Sequence, residues 1–459
     1  MEHAVPSESE ARAARRRRLL LLTVVLSVVG AGALILRWRT SAKQDVQRLG
    51  VRPPYRNTQP GVNYVGDAAC IRCHAGIAET FRLHPMGRSL SPIADAQSLG
   101  AGPDGSRPQF EAQGLLYSVE HQGARVFHRE ARQDASGRLI AQNQAEVQYV
   151  IGSGRQGFSY LIERDGFLFE SPITWYAKDR RWGLSPGYET RNHHFERPIL
   201  AECLFCHANR AERVSSAINR YRTPIFQGHS IGCERCHGPG DLHVRRPTVV
   251  DGRDLTIVNP ADLEPSVRDA VCEQCHLIGP RRVSRVGTRS EDYRPGLPFY
   301  RFWSVFVPSG NARDNRFAGQ VEQMHDSRCY QASQGRLGCI SCHDPHVLPA
   351  PEVKAAYFRD RCLECHADQG CRLPAKLRRE RNRGDDCIGC HMPRSNSSNN
   401  PHVATTNHRI PRHEDGGPRS PVRADTPSRA RPSIEIFHRD LMADHDRAET
   451  ERDRGIALC

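Results

Sequence analysis

Gly232-Cys233-Glu234-Arg235-Cys236-His237-Gly238-Pro239-Gly240 decides how this chain folds. Two thiols are separated by two residues, and an imidazole follows the second thiol. Covalent attachment of a c-type haem requires that spacing. The thiols add across the two vinyl groups of one porphyrin, and the adjacent His turns back on the iron as proximal ligand. Outward from this block the same Cys-x-x-Cys-His pentapeptide recurs six times. The thiol pairs are Cys70 and Cys73, Cys203 and Cys206, Cys233 and Cys236, Cys272 and Cys275, Cys339 and Cys342, Cys362 and Cys365, and Cys387 and Cys390. Their proximal imidazoles are His74, His207, His237, His276, His343, His366 and His391. With 17 Cys and 22 His in 459 residues, chance would supply about 0.03 copies. The pattern predicts seven covalent haems c, each with its iron, in a chain whose default task is moving electrons.

Two other chemistries use Cys-x-x-Cys. Structural zinc gives no reason for a His after every second Cys, and it pairs two such units, whereas seven is odd. A thioredoxin-like redox motif occurs once, beside a βαβ pattern, and does not fit.

Bulk composition agrees with a cofactor-filled interior. Aromatics are 7% and hydrophobic residues 38% of the chain, lean for a protein-only core of this length. The expected fold is mostly α and irregular, wrapped around the porphyrins, and the apo chain should not fold alone. The formal charge of +13 would by itself suggest an anionic partner. Seven haems bring about −14 in propionates, and each ferric bis-His centre returns about +1, so the charge is largely cancelled. No basic stretch interleaved with aromatics argues for nucleic acid.

At the N-terminus, residues 1–18 end in Arg15-Arg16-Arg17-Arg18, and an apolar run fills Leu19 to Leu36. Eighteen such residues can just cross a bilayer, and the preceding basic block favours a cytoplasmic N-terminus. The expectation is an uncleaved single-pass anchor in the bacterial inner membrane, with the haem region in the periplasm. The competing reading is a signal peptide cut near Ala31-Gly32-Ala33. Residues 37–62 read as a tether and 63–107 as a first haem segment.

Residues 108–175 differ in kind. Leu116–Val119 and Arg125–His128 alternate around Gln122-Gly123, and Tyr160–Glu163 and Phe167–Glu170 flank Arg164-Asp165-Gly166, a hairpin signal. This region is expected to be a small antiparallel β insertion. Residues 176–394 hold the other six haem motifs. Residues 395–433 are rich in Pro, Ser and Arg and read as disordered. Residues 434–459 hold a short helix.

What fills each iron's sixth position decides between wire and enzyme. Fifteen His lie outside the motifs against five Met in all, which favours bis-His ligation and low potentials. By placement the distal candidates are His84, His193, His194, His229, His243, His325, His346, His402 and His408. Cys329 and Cys371 flank the last motif trio and are candidates for a disulfide.

These blocks resemble a known group. Gly232–Gly240 with His243 is similar to the recurrent haem block of the cytochrome c-554/c-prime superfamily. Cys339–His343-Asp344-Pro345-His346 resembles a block found there and in multihaem nitrite reductases. Cys387–His391-Met392-Pro393 with His402 and Thr406-Asn407-His408-Arg409-Ile410 also resembles the cytochrome c-554/c-prime superfamily. The layout over 63–410 also resembles membrane-anchored multihaem cytochromes that continue into tetratricopeptide repeats, of which 434–459 would be a remnant. The resemblance implies bis-His haems in stacked pairs, with His243 and His346 as distal ligands.

The expected function is electron transfer, from a quinol-linked donor or a redox partner protein. The alternative is a reductase of a small nitrogen or sulfur oxyanion with one open haem, first sought at Cys203–His207 or, if His84 points away, at the first motif. A third reading is a redox-reporting scaffold. Oligomeric state is not legible.

Overall fold

A computed structural model describes residues 54–95, 108–214, 216–309, 319–367, 370–371, 373–381, 385–394, 406–412, 433–442 and 446–459. The chain divides into two units, residues 1–54 with Gln59–Gly61, and Tyr55–Thr58 with Val62–Cys459. The second unit carries all seven pentapeptides.

The expected membrane span Leu19–Leu36 lies outside the described residues. Among the described residues no helix is long and apolar enough to cross a membrane. The 17-residue helix Asp67–Leu83 is interrupted by Asp67, Arg72, Glu79 and Arg82. The expectation of a single-pass inner-membrane protein with a periplasmic haem region is corrected accordingly.

The balance of secondary structure also needs correction, because strands form five sheets among the described residues. Gln109–Ala112, Leu115–Gln122, Arg125–Gln133 and Leu139–Val147 make a four-stranded antiparallel meander. A seven-stranded sheet follows. It runs Leu90–Pro92, Tyr149–Ile151, Gly157–Arg164, Phe167–Glu170 and Arg197–Pro198, with Ile173–Tyr176 and Arg181–Leu184 branching from Gly157–Arg164. The hairpin at Arg164–Phe167 turns on Asp165 and Gly166, both at positive φ (50° and 80°), as a two-residue turn between right-twisting strands demands.

Period-two alternation assigns the two faces of this sheet. Tyr160 and Ile162 enter a core with Tyr117, Val119, Val126 and Val147 of the meander. Leu161, between them, enters a second core with Leu90, Leu168, Tyr221 and Leu204. Leu204 lies inside the Cys203–His207 motif, so the β region packs directly on a haem-binding helix. A third core gathers Phe205, Ala270, Tyr293, Phe299, Trp303 and Val305 behind the second and fourth motifs.

Strands also occur where the sequence reading expected none. Arg281–Ser284 pairs with Trp303–Pro308, and Ile434–Ile436 adds a third strand. These runs are short, and the third is supplied from 126 residues away (Ile434 against Pro308), so no local alternation betrays the sheet. The helix Arg447–Leu458 then packs on it. Arg285, 4% exposed in its side chain, meets Glu449 at 2.9 Å and Asp446 at 3.4 Å, while Ser304 donates to the buried Asp453 at 2.7 Å.

Around the other motifs the pattern inverts. The helices Asp67–Leu83, Lys354–His366 and Cys387–His391 contain no buried residue. Cys329 and Cys371 form no disulfide, so the candidate bridge is absent among the described residues.

Candidate haem-binding site

One continuous cavity of about 4480 Å³ runs through this part of the molecule, and every Cys and His of the seven pentapeptides lines it. A seventh of that volume is about 640 Å³, within the roughly 300–1,000 Å³ of a single small-molecule site. Its walls carry Ile71, Ile77, Leu363, Val347 and Leu348, large apolar side chains left exposed by the polypeptide. Such walls fit a large apolar occupant. The residues present therefore fit covalent porphyrin.

Five further imidazoles line the cavity: His84, His229, His243, His346 and His408. Three face a motif imidazole. Ring centroids of His74 and His243 lie 6.4 Å apart, those of His237 and His346 5.9 Å, and those of His343 and His408 6.4 Å. Metal–imidazole bonds of about 2 Å on both sides of one ion put two ring centres roughly 6.3 Å apart. In each pair the second imidazole comes from a later segment of chain, so sequence proximity could not have matched them.

Hydrogen bonds fix the tautomers. His237 Nδ1 donates to Val258 O (2.8 Å), His391 Nδ1 to Pro411 O (2.9 Å) and His408 Nδ1 to Thr406 O (2.9 Å). His243 Nδ1 donates to Asp254 Oδ2 at 2.7 Å. These acceptors carry no proton, so Nδ1 must hold the hydrogen and Nε2 presents its lone pair, the ligating form. Burial lowers the pKa of His237, His276 and His408, and lowers that of His343 to about 4, which keeps them neutral. His84 has the opposite pattern, its Nδ1 accepting from Met86 N–H at 3.3 Å. The segment Thr406–Arg412 serves two motifs, through His408 and through Pro411 O. Between them Ile410 sits at φ 51°, a strained position for a β-branched residue.

Thiols of different motifs touch. Cys70 meets Cys233, Cys272 meets Cys339, and Cys362 meets Cys387, each the first Cys of its motif. Cys206 meets Cys275, each a second Cys, and that contact draws Cys275 down to about 7 while Cys206 rises. Second cysteines also neighbour each other at Cys236 with Cys275 and at Cys342 with Cys365.

Residues that the motif reading treats as filler hold this arrangement. Asp67 Oδ1 accepts the N–H of Cys233 (2.9 Å), and Asp269 likewise accepts from the backbone of Cys339. Both Asp residues stand three positions before a first Cys, in Asp67-Ala68-Ala69-Cys70 and Asp269-Ala270-Val271-Cys272. That repeat is a signal the sequence offered. Glu234, 3% exposed, accepts from the N–H groups of Val65 (2.9 Å), Gly66 (2.8 Å) and Gly240 (2.8 Å). Arg235 donates to Phe205 O (2.6 Å) and Gln274 to Arg235 O (2.9 Å), tying the second, third and fourth motifs.

Other sequence candidates fall elsewhere. His193, His194 and His325 do not line the cavity. His193 packs edge-on against Tyr188, His194 bonds the buried Glu130, and His325 stacks on Tyr330 at 4.0 Å. His402 lies outside the described residues.

The family model described as cytochrome c554 and c-prime matches residues 186–238, and one for a doubled CXXCH motif matches 332–370. Together with the cavity, these matches decide the class. The chain is a multihaem c-type cytochrome. The solved structure of the outer cell wall cytochrome OcwA is similar at 16% identity and a TM-score of 0.45, covering 76% of this chain and 79% of that one. Comparison with curated proteins gives no match.

Behind the fourth motif of the cytochrome, Glu273 is buried and His438 Nε2 lies 3.1 Å from its Oε2. Burial raises the Glu273 carboxyl well above its usual range and lowers His438 to about 4. Both shifts favour a neutral acid hydrogen-bonded to a neutral imidazole.

Proposed function

We propose that this cytochrome carries electrons along seven covalent haems c held as three stacked pairs with one branch. Bound haem iron supplies the one-electron ferric–ferrous couple. The thiol contacts carry the reading. First-Cys contacts join motifs one and three, four and five, and six and seven. Second cysteines lie near each other between motifs three and four and between five and six. The resulting order is one, three, four, five, six, seven, with motif two attached at four through Cys206 and Cys275. The imidazole separations support His74 with His243, His237 with His346, and His343 with His408 as axial pairs. Redox partner proteins are the donors and acceptors this assignment calls for.

Potentiometric titration followed by electron paramagnetic resonance tests the reading. Mostly low-spin ferric signals at low potential are expected, and replacing His346 by Met should raise one component alone, since Met/His ligation raises the potential. Purified protein without Soret absorption, or H346M indistinguishable from the parent, would overturn it.

One observation favours the second reading, reduction of a small oxyanion. His84, which lines the cavity, accepts at Nδ1 from Met86 N–H, which leaves the ring hydrogen of the neutral form on Nε2, and Arg155 is a charged neighbour. A high-spin component that shifts on adding nitrite would support it, and the absence of any high-spin component would remove it.

A further inference from the structure

The axial candidates fall into two kinds by what their Nδ1–H meets. His237, His391 and His408 donate to neutral backbone carbonyls. His243 instead donates to a carboxylate, that of Asp254. His346 has a carboxylate nearby, but its Nδ1 is 3.8 Å from Asp344 Oδ1, too far for a hydrogen bond.

Asp254 is held for this contact. It ends the strand Arg253–Asp254, paired with Val249–Val250 across a turn with Asp251 and Gly252 at positive φ. Its Oδ1 accepts from Thr256 N–H (2.8 Å), the Thr256 hydroxyl (2.5 Å) and Thr248 N–H (3.2 Å). Those three donors occupy one oxygen and leave Oδ2 to His243. The side chains of His243 and Asp254 are 33% and 18% exposed, so water screens the contact only in part.

A carboxylate accepting the outer N–H of a ligating imidazole draws that proton away from the ring. The ring gains anionic character and becomes a stronger donor, which favours the more positive metal state. His243 faces His74 of the first motif, and that motif touches only the third in the thiol sequence above. The first haem therefore stands at an end of the array.

We propose that Asp254 is a positioning residue that makes the first haem more reducing than it would be with a neutral acceptor. This rests on the axial assignment of His243 made above. It also gives the terminal site its direction. An end held at low potential gives up electrons readily to its neighbour, so it suits a strongly reducing donor.

The test is spectroelectrochemical titration of the full holoprotein with low-spin signals resolved. H243M first identifies the component belonging to the first haem, because a Met ligand moves it far upward. D254N keeps an acceptor but removes its charge. Its expected effect is an upward move of that same component, on the order of a tenfold loss of preference for the ferric state, which is about 59 mV for a one-electron couple. D254E should restore the parent value. T256V removes the hydroxyl that draws charge from Asp254, so its shift should be smaller and downward; Thr256 is buried and the change is nearly isosteric, so this variant carries the test if D254N misfolds. If H243M moves one component while D254N and T256V leave it in place, Asp254 has no such role and the axial assignment survives. If H243M moves no component, the axial assignment of His243 fails and this inference falls with it.

Discussion

The β region and the haem-bearing segments solve the same problem with different materials. Residues 108–198 bury Tyr117, Val119, Tyr160, Ile162, Ile173 and Phe195 against one another between two sheets, and Tyr117 and Phe195 are fully inaccessible. The helices Asp67–Leu83 and Lys354–His366 bury nothing and hold Ile71, Ile77 and Leu363 toward the cavity. One region's core is made of its own side chains. The other has walls and needs its interior supplied. Where apolar side chains stay exposed beside attachment cysteines, the missing core is the cofactor.

The largest effect that bears on this contrast comes from withholding haem. The expectation that no part of the haem-free chain folds is narrowed by the core of the β region: a chain with the motif cysteines replaced by Ala should lose amide protection across Asp67–Leu83 and Lys354–His366 while Gly157–Arg164 stays protected. Hydrogen exchange read by mass spectrometry separates the two, and equal protection in both would dissolve the distinction.

A smaller change sharpens it from inside the array. Glu234→Ala removes the acceptor of three backbone N–H groups that join the first and third motifs. Leaving buried donors unpaired costs about 1–3 kcal/mol each, so a loss of about 3 kcal/mol or more is expected in urea unfolding followed at the Soret band. A loss under about 0.5 kcal/mol would mean that porphyrin alone holds the motifs together.

The third effect belongs to the β region and depends on pH. His128 is buried, its Nδ1 against Ser171 Oγ at 2.7 Å, and burial lowers its pKa to about 3. Between about 3 and 6.5 the unfolded chain binds a proton that the folded one refuses, so stability rises with pH across that window. The full contribution is present above about 6.5 and is lost as pH falls, with a slope of at most about 1.4 kcal/mol per pH unit. In the haem-free chain, urea midpoints followed by fluorescence of Trp175 and Trp182 should show this slope, and His128→Gln should flatten it. A slope unchanged by H128Q would assign the acid sensitivity to other groups.

How much was legible in the sequence follows from the range over which each feature is encoded. Covalent attachment confines two thiols and an imidazole to five residues, so all seven pentapeptides could be read directly. The hairpins at Gly123 and Asp165-Gly166 are equally local, and both strand pairs form there. The imidazole pairs are not local. His74 meets His243 and His343 meets His408 only after intervening chain has folded, so counting imidazoles gave a pool without a pairing. The strand Ile434–Ile436 was hidden for the same reason: three residues have no period of their own, and their partner lies far upstream. Asp67, Asp269 and Glu234 were missed because attention to the motif cast their positions as neutral. Yet an acid three places before a first Cys, occurring twice, was visible.

The strand Ile434–Ile436 has a consequence for biogenesis. It completes the sheet begun by Arg281–Ser284 and Trp303–Pro308, and His438, two residues on, reaches Glu273 inside the fourth pentapeptide. In order of synthesis all seven pentapeptides emerge before this strand does. The sheet behind the fourth pentapeptide can therefore be completed only after every pentapeptide has been made.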